Sequence, residues 1–361
     1  MRLNKFSFMF ASIVLAAGAV KTTFADDVTI IGSISTTFKQ ASDKPRTARS
    51  PTTTPALKTI QLLHVQLSDE AKKRLENNSK IYLAKSRESS ASLQATASSY
   101  PEKIELGMSN VPVLDQGAHG TCTTFAITGV LDATMAKGDY ISQVCNLQLG
   151  NYLEKHGYAP SGWEGSHSYY VLGQIEQFGI VSKQKQRTLG CGGLKDYPTN
   201  SSKTPTSFIE PVPFKAMSEL IYGQDVNWST VFSNDAASNL NTVKEALNAG
   251  NRLAFGVLLP DTEHGTVGAV GKHNTWFGND TWVLTPEIIK AAKNARAGHQ
   301  MIISGYDDNA VATDDHGVKH KGLLTLRNSW GSSAGSNGDF YMSYDYFKLL
   351  THDLTRYSST H

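Results

Sequence analysis

The run Gln116-Gly117-Ala118-His119-Gly120-Thr121-Cys122-Thr123-Thr124-Phe125-Ala126 constrains the fold of this chain more than any other stretch. It sets glycine turn positions, a cysteine and the start of an apolar helical pattern side by side. Phe125, Ala126, Ile127, Val130, Leu131 and Met135 recur at helical spacing, which predicts a buried helix with Thr121 as its N-cap and Cys122 in its first turn. The free N–H groups and partial positive charge of a helix N-terminus favour thiolate over thiol. With a His⁺ nearby they lower a cysteine pKa from about 8.5 to roughly 3.5–7.5. Cys122 is therefore a candidate nucleophile. A buried structural cysteine is the other reading of the same residue, and the stretch by itself leaves both open.

The rest of the composition sets the frame. At 361 residues the chain holds one large or two moderate domains. Its 34 Lys and Arg nearly cancel its 32 Asp and Glu, so no electrostatic footprint for nucleic acid or an anionic membrane is present. Arg2 and Lys5 precede an apolar run over residues 6–20, too short to span a bilayer, and Thr23-Phe24-Ala25 ends in a small residue before Asp26-Asp27. Residues 1–25 are expected to be a secretory signal peptide cut after Ala25. The mature protein is then expected to be exported, extracellular or periplasmic, free of the membrane and in a disulfide-permissive compartment.

Residues 26–100 have mixed character. Segments 28–34 and 59–67 carry β-branched, partly alternating patterns of strands, separated by a stretch rich in Thr, Ser, Pro, Lys and Arg. Ser68 is placed to cap a helix over 68–84, with Asp69 and Glu70 in its first turn and an apolar stripe of Ala71, Leu75, Ile81 and Tyr82. Residues 85–99, dominated by Ser, Ala and Thr, have the composition of an exposed linker open to proteolysis.

Beyond residue 111 a helix-rich half runs from Cys122 to Gly179, where Tyr169, Leu172, Ile175 and Phe178 follow a helical rhythm. Asn241 or Thr242 is expected to open a further helix, with Glu245 completing a capping box and Gly250 ending it. Strand-like runs follow at 252–258, 300–306, 322–328 and 338–343. A helical half followed by a β half predicts an α+β architecture with a cleft between them.

The β half contains a second chemical constellation. Gly298-His299-Gln300-Met301-Ile302-Ile303 starts an apolar strand with a histidine, and Leu324-Thr325-Leu326-Arg327-Asn328-Ser329-Trp330-Gly331 ends another with an asparagine. A nucleophilic cysteine needs a base within hydrogen-bond reach, and the base needs a third group to orient its ring, for which an amide oxygen suffices. Taken singly, His299 equally suits a satisfied core histidine and Asn328 a turn residue.

The order Gln116, Cys122, His299, Asn328, followed by Ser329-Trp330-Gly331 and by Gly335-Ser336-Asn337-Gly338-Asp339-Phe340-Tyr341-Met342, resembles the papain family of cysteine peptidases over about residues 105–350. The resemblance implies a two-lobed fold, one lobe helical and the other an antiparallel, barrel-like sheet, spanning residues 101–361. Cys122 and His299 would face each other across the cleft, Asn328 would orient His299, and Trp330 would cover that contact. Gln116 and the Cys122 backbone N–H would form the oxyanion hole. The activity implied is peptide-bond hydrolysis without cofactor or metal, by a monomeric endopeptidase acting on protein or peptide substrates. Residues 26–100 would be its inhibitory propeptide, an intramolecular partner, with the strand pair and helix docked on the mature domain and 85–99 led through or beside the active site. With Cys122 reserved as a thiol, and the family placing a bridge in its helical half, Cys145 and Cys191 are expected to be disulfide-bonded.

The chain also departs from the family's pattern. His119 stands where a cysteine is usual three residues before the nucleophile, and Thr123 where a tryptophan usually follows it. An insertion containing Asp261, His264, His273, Trp276 and Trp282 lengthens the Cys-to-His interval, and Gln300 follows His299 where a small residue is commoner. The substrate-binding glycine segment has two candidates. Gly192-Gly193 matches its spelling, whereas residues 163–165, with Trp163 and Gly165, precede the expected helix and are taken as the cleft segment. Other classes remain: a cell-wall amidase or acyl transferase with the same Cys-His pair, and a catalytically silent papain-like binding protein. His264, His273, His316 and His320 show no zinc spacing, and Asp307, Asp308, Asp314 and Asp315 read as a solvated hairpin loop ahead of a calcium loop.

Overall fold

The computed structural model of the chain describes residues 27–39, 57–88, 100–233, 235–261, 268–273, 275 and 279–361. The expected signal peptide and residues 89–99 of the expected linker lie outside them. Described elements run β1 (Val28–Lys39), β2 (Leu57–Leu67), α1 (Asp69–Glu88), β3 (Lys103–Glu105), α2 (Cys122–Met135), α3 (Gln143–Lys155), α4 (Ser168–Phe178), α5 (Lys183–Leu189) and α6 (Pro211–Met217). They continue through β4 (Val226–Thr230), α7 (Ala236–Asn248), β5 (Leu253–Leu259), β6 (Thr281–Trp282), α8 (Pro286–Ala291), β7 (Ala297–Thr313), β8 (Lys319–Arg327), β9 (Asp339–Ser343), α9 (Tyr344–Leu350) and β10 (Thr351–Ser359). The architecture is α+β, with the helices concentrated in the first part of the core and one large sheet in the second.

That sheet has the order β4-β10-β5-β7-β8-β9-β6, antiparallel except for the parallel pair β6 and β9. Strand β5 reads LAFGVLL and is buried at every position, as a strand covered on both faces must be. The long strand β7 pairs with β5 through residues 297–303 and with β8 through 302–313, with register shifts between Ile303 and Gly305 and between Asp307 and Val311. Such bulges bend and twist a strand, so β7 serves two neighbours in succession. Helix α2 is buried from Cys122 to Ala133 and packs on α3 and α4 on one side and on β7 and β10 on the other. It is the element along which the helices and the sheet meet.

The N-terminal strands pair as expected. β1 and β2 form an antiparallel pair from Val28↔Leu67 to Lys39↔Leu57, with an irregularity at Ile30/Gly32. Ser68 caps α1, its Oγ accepting from Ala71 N at 3.0 Å. Ala71 and Leu75 are buried and Tyr82 packs on the core, whereas Ile81 is exposed and falls off the stripe. The hairpin does not stand alone: β2 adds to the sheet through Leu63↔Gly298 and His64↔Ala297 on β7. Val28, Ile60, Leu62, Leu63, Val65, Leu67, Ala71 and Leu75 share one apolar cluster with Cys122, Val257, Met301 and Trp330. Burying these side chains against the rest of the molecule is what makes so short a strand pair and helix stable.

Several local expectations are corrected. α7 begins at Ala236, capped by Asp235 through Ala237 N at 3.0 Å, well before Asn241, and Glu245 pairs with Arg356 at 3.5 Å instead of closing a capping box. Thr121 makes no side-chain cap to α2, because its hydroxyl is engaged by Tyr197 at 2.8 Å. Asp307 and Asp308 lie within β7, where Asp307 accepts from Asn309 N and Ala310 N and Asp308 from Lys244 at 2.6 Å. Asp314 accepts from its own turn, at His316 N and Val318 N. The cysteines follow expectation: Cys145 and Cys191 are disulfide-bonded, and Cys122 is a free, buried cysteine.

Candidate active site

The segment before α2 is pinned to the end of β8 by backbone. Gln116 N donates to Ser329 O at 2.8 Å and Gly331 N to Leu114 O at 3.0 Å. Gly117 turns the chain at φ +57, and a Cβ there would sit 2.2 Å from Thr199 O, so only glycine fits. The fully buried Gln116 side chain is held at both ends. Ser329 Oγ donates to its Oε1 at 2.8 Å, which leaves Nε2 to donate to His119 O at 2.9 Å and to Gln61 O at 3.0 Å. Gln61 lies on β2, so a backbone carbonyl of the N-terminal hairpin occupies the donor proposed for the oxyanion hole.

Cys122 opens α2 with no exposure. Burial pushes its thiol up to about 11, only partly offset by the Gln300 and Thr123 groups that hydrogen-bond to the sulfur. The helix N-terminus therefore does not lower this pKa here. A dipole contribution of about 0.3–1 kcal/mol is smaller than the cost of a fully desolvated thiolate. Because the Gln300 backbone faces the sulfur, the thiol lies beside the residue that follows His299.

His299, on β7, is also without exposure. Its Nε2 is 2.7 Å from Asn328 Oδ1, and the ring stacks on Trp330 at 4.6 Å. Asn328 Oδ1 also accepts from Ser329 N at 2.7 Å. A backbone N–H only donates, so the oxygen is correctly placed, Nε2 carries the proton and Nδ1 keeps its lone pair. That Nδ1 is buried with no hydrogen-bond partner among the described residues. Burial holds the imidazole down at about 4, with the Asn328 bond acting in the opposite sense. Thiol and imidazole are thus both neutral in this state.

The hairpin crosses the site. Ile30 N donates to His167 Nε2 at 3.2 Å, Ser33 Oγ donates to Glu164 Oε2 at 2.5 Å, and Val65 N donates to Arg296 O at 2.8 Å. Phe38 packs on Trp330 at 5.4 Å, and Lys58 bonds to Asp115 and to Trp330 O. Gly165, at φ +113, faces it: a Cβ would lie 2.9 Å from Gly32 O and from Ile30, and 3.2 Å from Leu63. Among the described residues it is β2 that reaches Gln116, through the Gln61 carbonyl, and residues 89–99 of the expected linker lie outside them.

Of the cleft candidates, Gly165 touches the hairpin, while Trp163 is fully buried behind it, stacked on Tyr197 at 5.6 Å. Gly192-Gly193 adjoins the disulfide, with a Gly192 Cβ meeting Phe208 and Gln148. Sequence reasoning missed Tyr197, whose hydroxyl donates to Gln116 O at 2.8 Å, and the orienting role of Ser329, which was in view only as part of the Asn-Ser-Trp block. Trp282, from the insertion, stacks on Phe340 at 4.8 Å beneath Trp330. His273 and His320 turn to Tyr341 and Asp314, and among the described residues no group of His, Cys, Asp or Glu is arranged to hold a metal. No described helix is long and apolar enough to cross a membrane.

No family model and no curated protein matches the chain. Among solved structures it is similar to xylellain, a cysteine protease from Xylella fastidiosa, at 19% identity over 74% of this chain and 91% of that one, with a TM-score of 0.45. It is similar to the digestive procathepsin L 3 of Tenebrio molitor larval midgut at 17% identity over 74% and 73%, with a TM-score of 0.44. The proform of the ragweed pollen cysteine protease Amb a 11 aligns at 17% identity over 75% and 68%, with a TM-score of 0.42. These three structures are of cysteine proteases, two of them in precursor form.

Proposed function

We propose that the chain is a papain-like cysteine endopeptidase, exported through residues 1–25 and made as an inactive monomeric precursor whose residues 26–100 close its own site. The observation that carries the reading is the Gln61 carbonyl held by Gln116 Nε2 while Cys122 and His299 are each fully buried, the Cys122 sulfur beside the Gln300 backbone that follows His299. A peptide carbonyl at the oxyanion donor is where a scissile carbonyl belongs.

The chemistry needs the hairpin to leave. With water and substrate admitted, the burial that keeps the pair neutral is relieved, and the Cys122 proton passes to His299 Nδ1. The thiolate attacks a peptide carbonyl, and the new oxyanion is held by Gln116 Nε2 and the Cys122 N–H. His299 gives its proton to the departing amine as the C–N bond breaks, leaving a thioester. It then takes a proton from water, whose oxygen attacks the thioester and releases the acid and the free thiol. Asn328 holds the ring in the required tautomer throughout, and Trp330 shields that bond from solvent.

The test is hydrolysis of a peptide library by protein folded at full length and then cut between residues 89 and 99. Wild-type protein is expected to cleave peptides, and Cys122→Ala and His299→Ala to be inactive while remaining folded. Cleavage by Cys122→Ala at the wild-type rate would overturn the assignment.

A further inference from the structure

Near the Gln61 carbonyl the hairpin places a positive charge in a built recess. Lys58 Nζ donates to Asp115 Oδ2 at 2.5 Å and to the Trp330 carbonyl at 2.9 Å, and its side chain is 16% exposed. The recess is rigid. Asp115 bridges to Trp330 through the backbone, Asp115 Oδ1 accepts from Gly117 N at 2.9 Å, and the neighbouring Gln116 and Gly331 amides are tied across the same junction. Its floor is open because residue 331 is glycine, at φ +79. A Cβ there would lie 2.8 Å from Asp115 Oδ2 and 3.4 Å from Lys58 Nζ.

The direction of this recess from the bond to be cut follows from the rest of the site. Trp330 stacks on His299, the group that hands a proton to the departing amine, and Phe38 and Lys58, cross-strand partners, both lie against Trp330. Ile30 and Leu63 lie toward Gly165, at the other end of the hairpin. Lys58 therefore sits on the leaving-group side. Three residues of extended chain, about 10 Å, separate it from Gln61.

We propose that, once the hairpin is cut away, Asp115 and the Trp330 carbonyl form a subsite for a lysine or arginine side chain on the leaving-group side of the scissile bond, which Lys58 fills in the precursor. The inference rests on the peptidase reading and adds a substrate class to it. Removal of Lys58 leaves the Asp115 carboxylate, one-third exposed even beneath the hairpin, and the Trp330 carbonyl oxygen side by side without the cation that bridged them, and an ammonium or guanidinium satisfies both. The same contact anchors the hairpin, so one recess serves inhibition and selection in turn.

The experiment compares peptides identical but for lysine, arginine or norleucine at each of the first three leaving-group positions. The enzyme is full-length protein folded first and then cut within residues 89–99. A preference of about tenfold in kcat/KM for lysine or arginine over norleucine is expected at one position, as for a charge-assisted hydrogen bond partly screened by water. Asp115→Asn, which keeps an acceptor for Gly117 N, is expected to bring that ratio close to one. Turnover with no basic preference, or a preference that survives Asp115→Asn, overturns the subsite and leaves the peptidase reading standing. No turnover of any peptide overturns both. A second readout needs no turnover: in the uncut chain, Lys58→Met is expected to raise the rate of Cys122 alkylation severalfold and Lys58→Arg to leave it low. Equal rates for wild type and Lys58→Met would overturn the claim that Lys58 fills the recess.

Discussion

Gln116 has its amide fixed from both sides, and that fixes what its loss should cost. Ser329 Oγ on Oε1 and the pinned backbone aim Nε2 at the Gln61 carbonyl. Gln116→Ala is expected to lower kcat/KM of the cut protein by about 2.7–4 kcal/mol, the range for a lost oxyanion donor. Ser329→Ala, which removes only the orienting bond, should cost about 1 kcal/mol. Steady-state kinetics on both variants checks the order, and a Ser329→Ala effect as large as that of Gln116→Ala would contradict it. That Cys122, His299, Asn328 and Gln116 belong to one region was legible in the sequence, because each sits in a short recognisable block whose residue types suit the proposed chemistry. Tyr197 was not: nothing near it in sequence marks a hydroxyl that reaches Gln116 O, and only the fold brings the two together.

At the scale of elements, the hairpin is held mainly by apolar burial, with a few polar anchors. Leu63 is fully buried and lies against the position of Gly165 while its backbone pairs with Gly298. Truncation there leaves a cavity between β2 and the body of the protein. Leu63→Ala is therefore expected to destabilise the uncut chain by about 2–5 kcal/mol, measured by urea unfolding. A change under about 0.5 kcal/mol, typical of a surface site, would mean that the strand is not docked as described. The two strands and the capped helix were legible from alternation, Ser68 and the acidic first turn. Where the hairpin docks was not, since pairing between β2 and β7 joins residues far apart in sequence and leaves no local periodicity. The expected path of residues 85–99 past the site falls mostly outside the described residues, whereas the contact of β2 with Gln116 had no counterpart in the sequence reading. The early start of α7 was missed for a simpler reason, because an aspartate cap at Asp235 outcompetes the Asn-Thr pair inside the helix.

On the scale of the whole molecule, inhibition and chemistry are, under the proposed function, two states of one buried pair. In the uncut chain Cys122 is pushed up to about 11 and His299 down to about 4, each chiefly by burial, so near pH 7 neither carries charge. Thiolate is the reactive form, and its fraction grows about tenfold per pH unit below the thiol pKa. Alkylation of Cys122 in the uncut chain is expected to be slow at pH 7 and to rise through pH 9–10, a range set by that raised pKa. A rate already at its plateau at pH 7, followed by mass spectrometry, would mean that the ion pair exists beneath the hairpin. The most direct measurement is peptide hydrolysis by one preparation before and after a cut within residues 89–99, with Cys122→Ala as the blank. The expected result is a sharp rise on cutting, absent from Cys122→Ala, and equal hydrolysis before and after the cut would contradict a site closed by its own N-terminal hairpin.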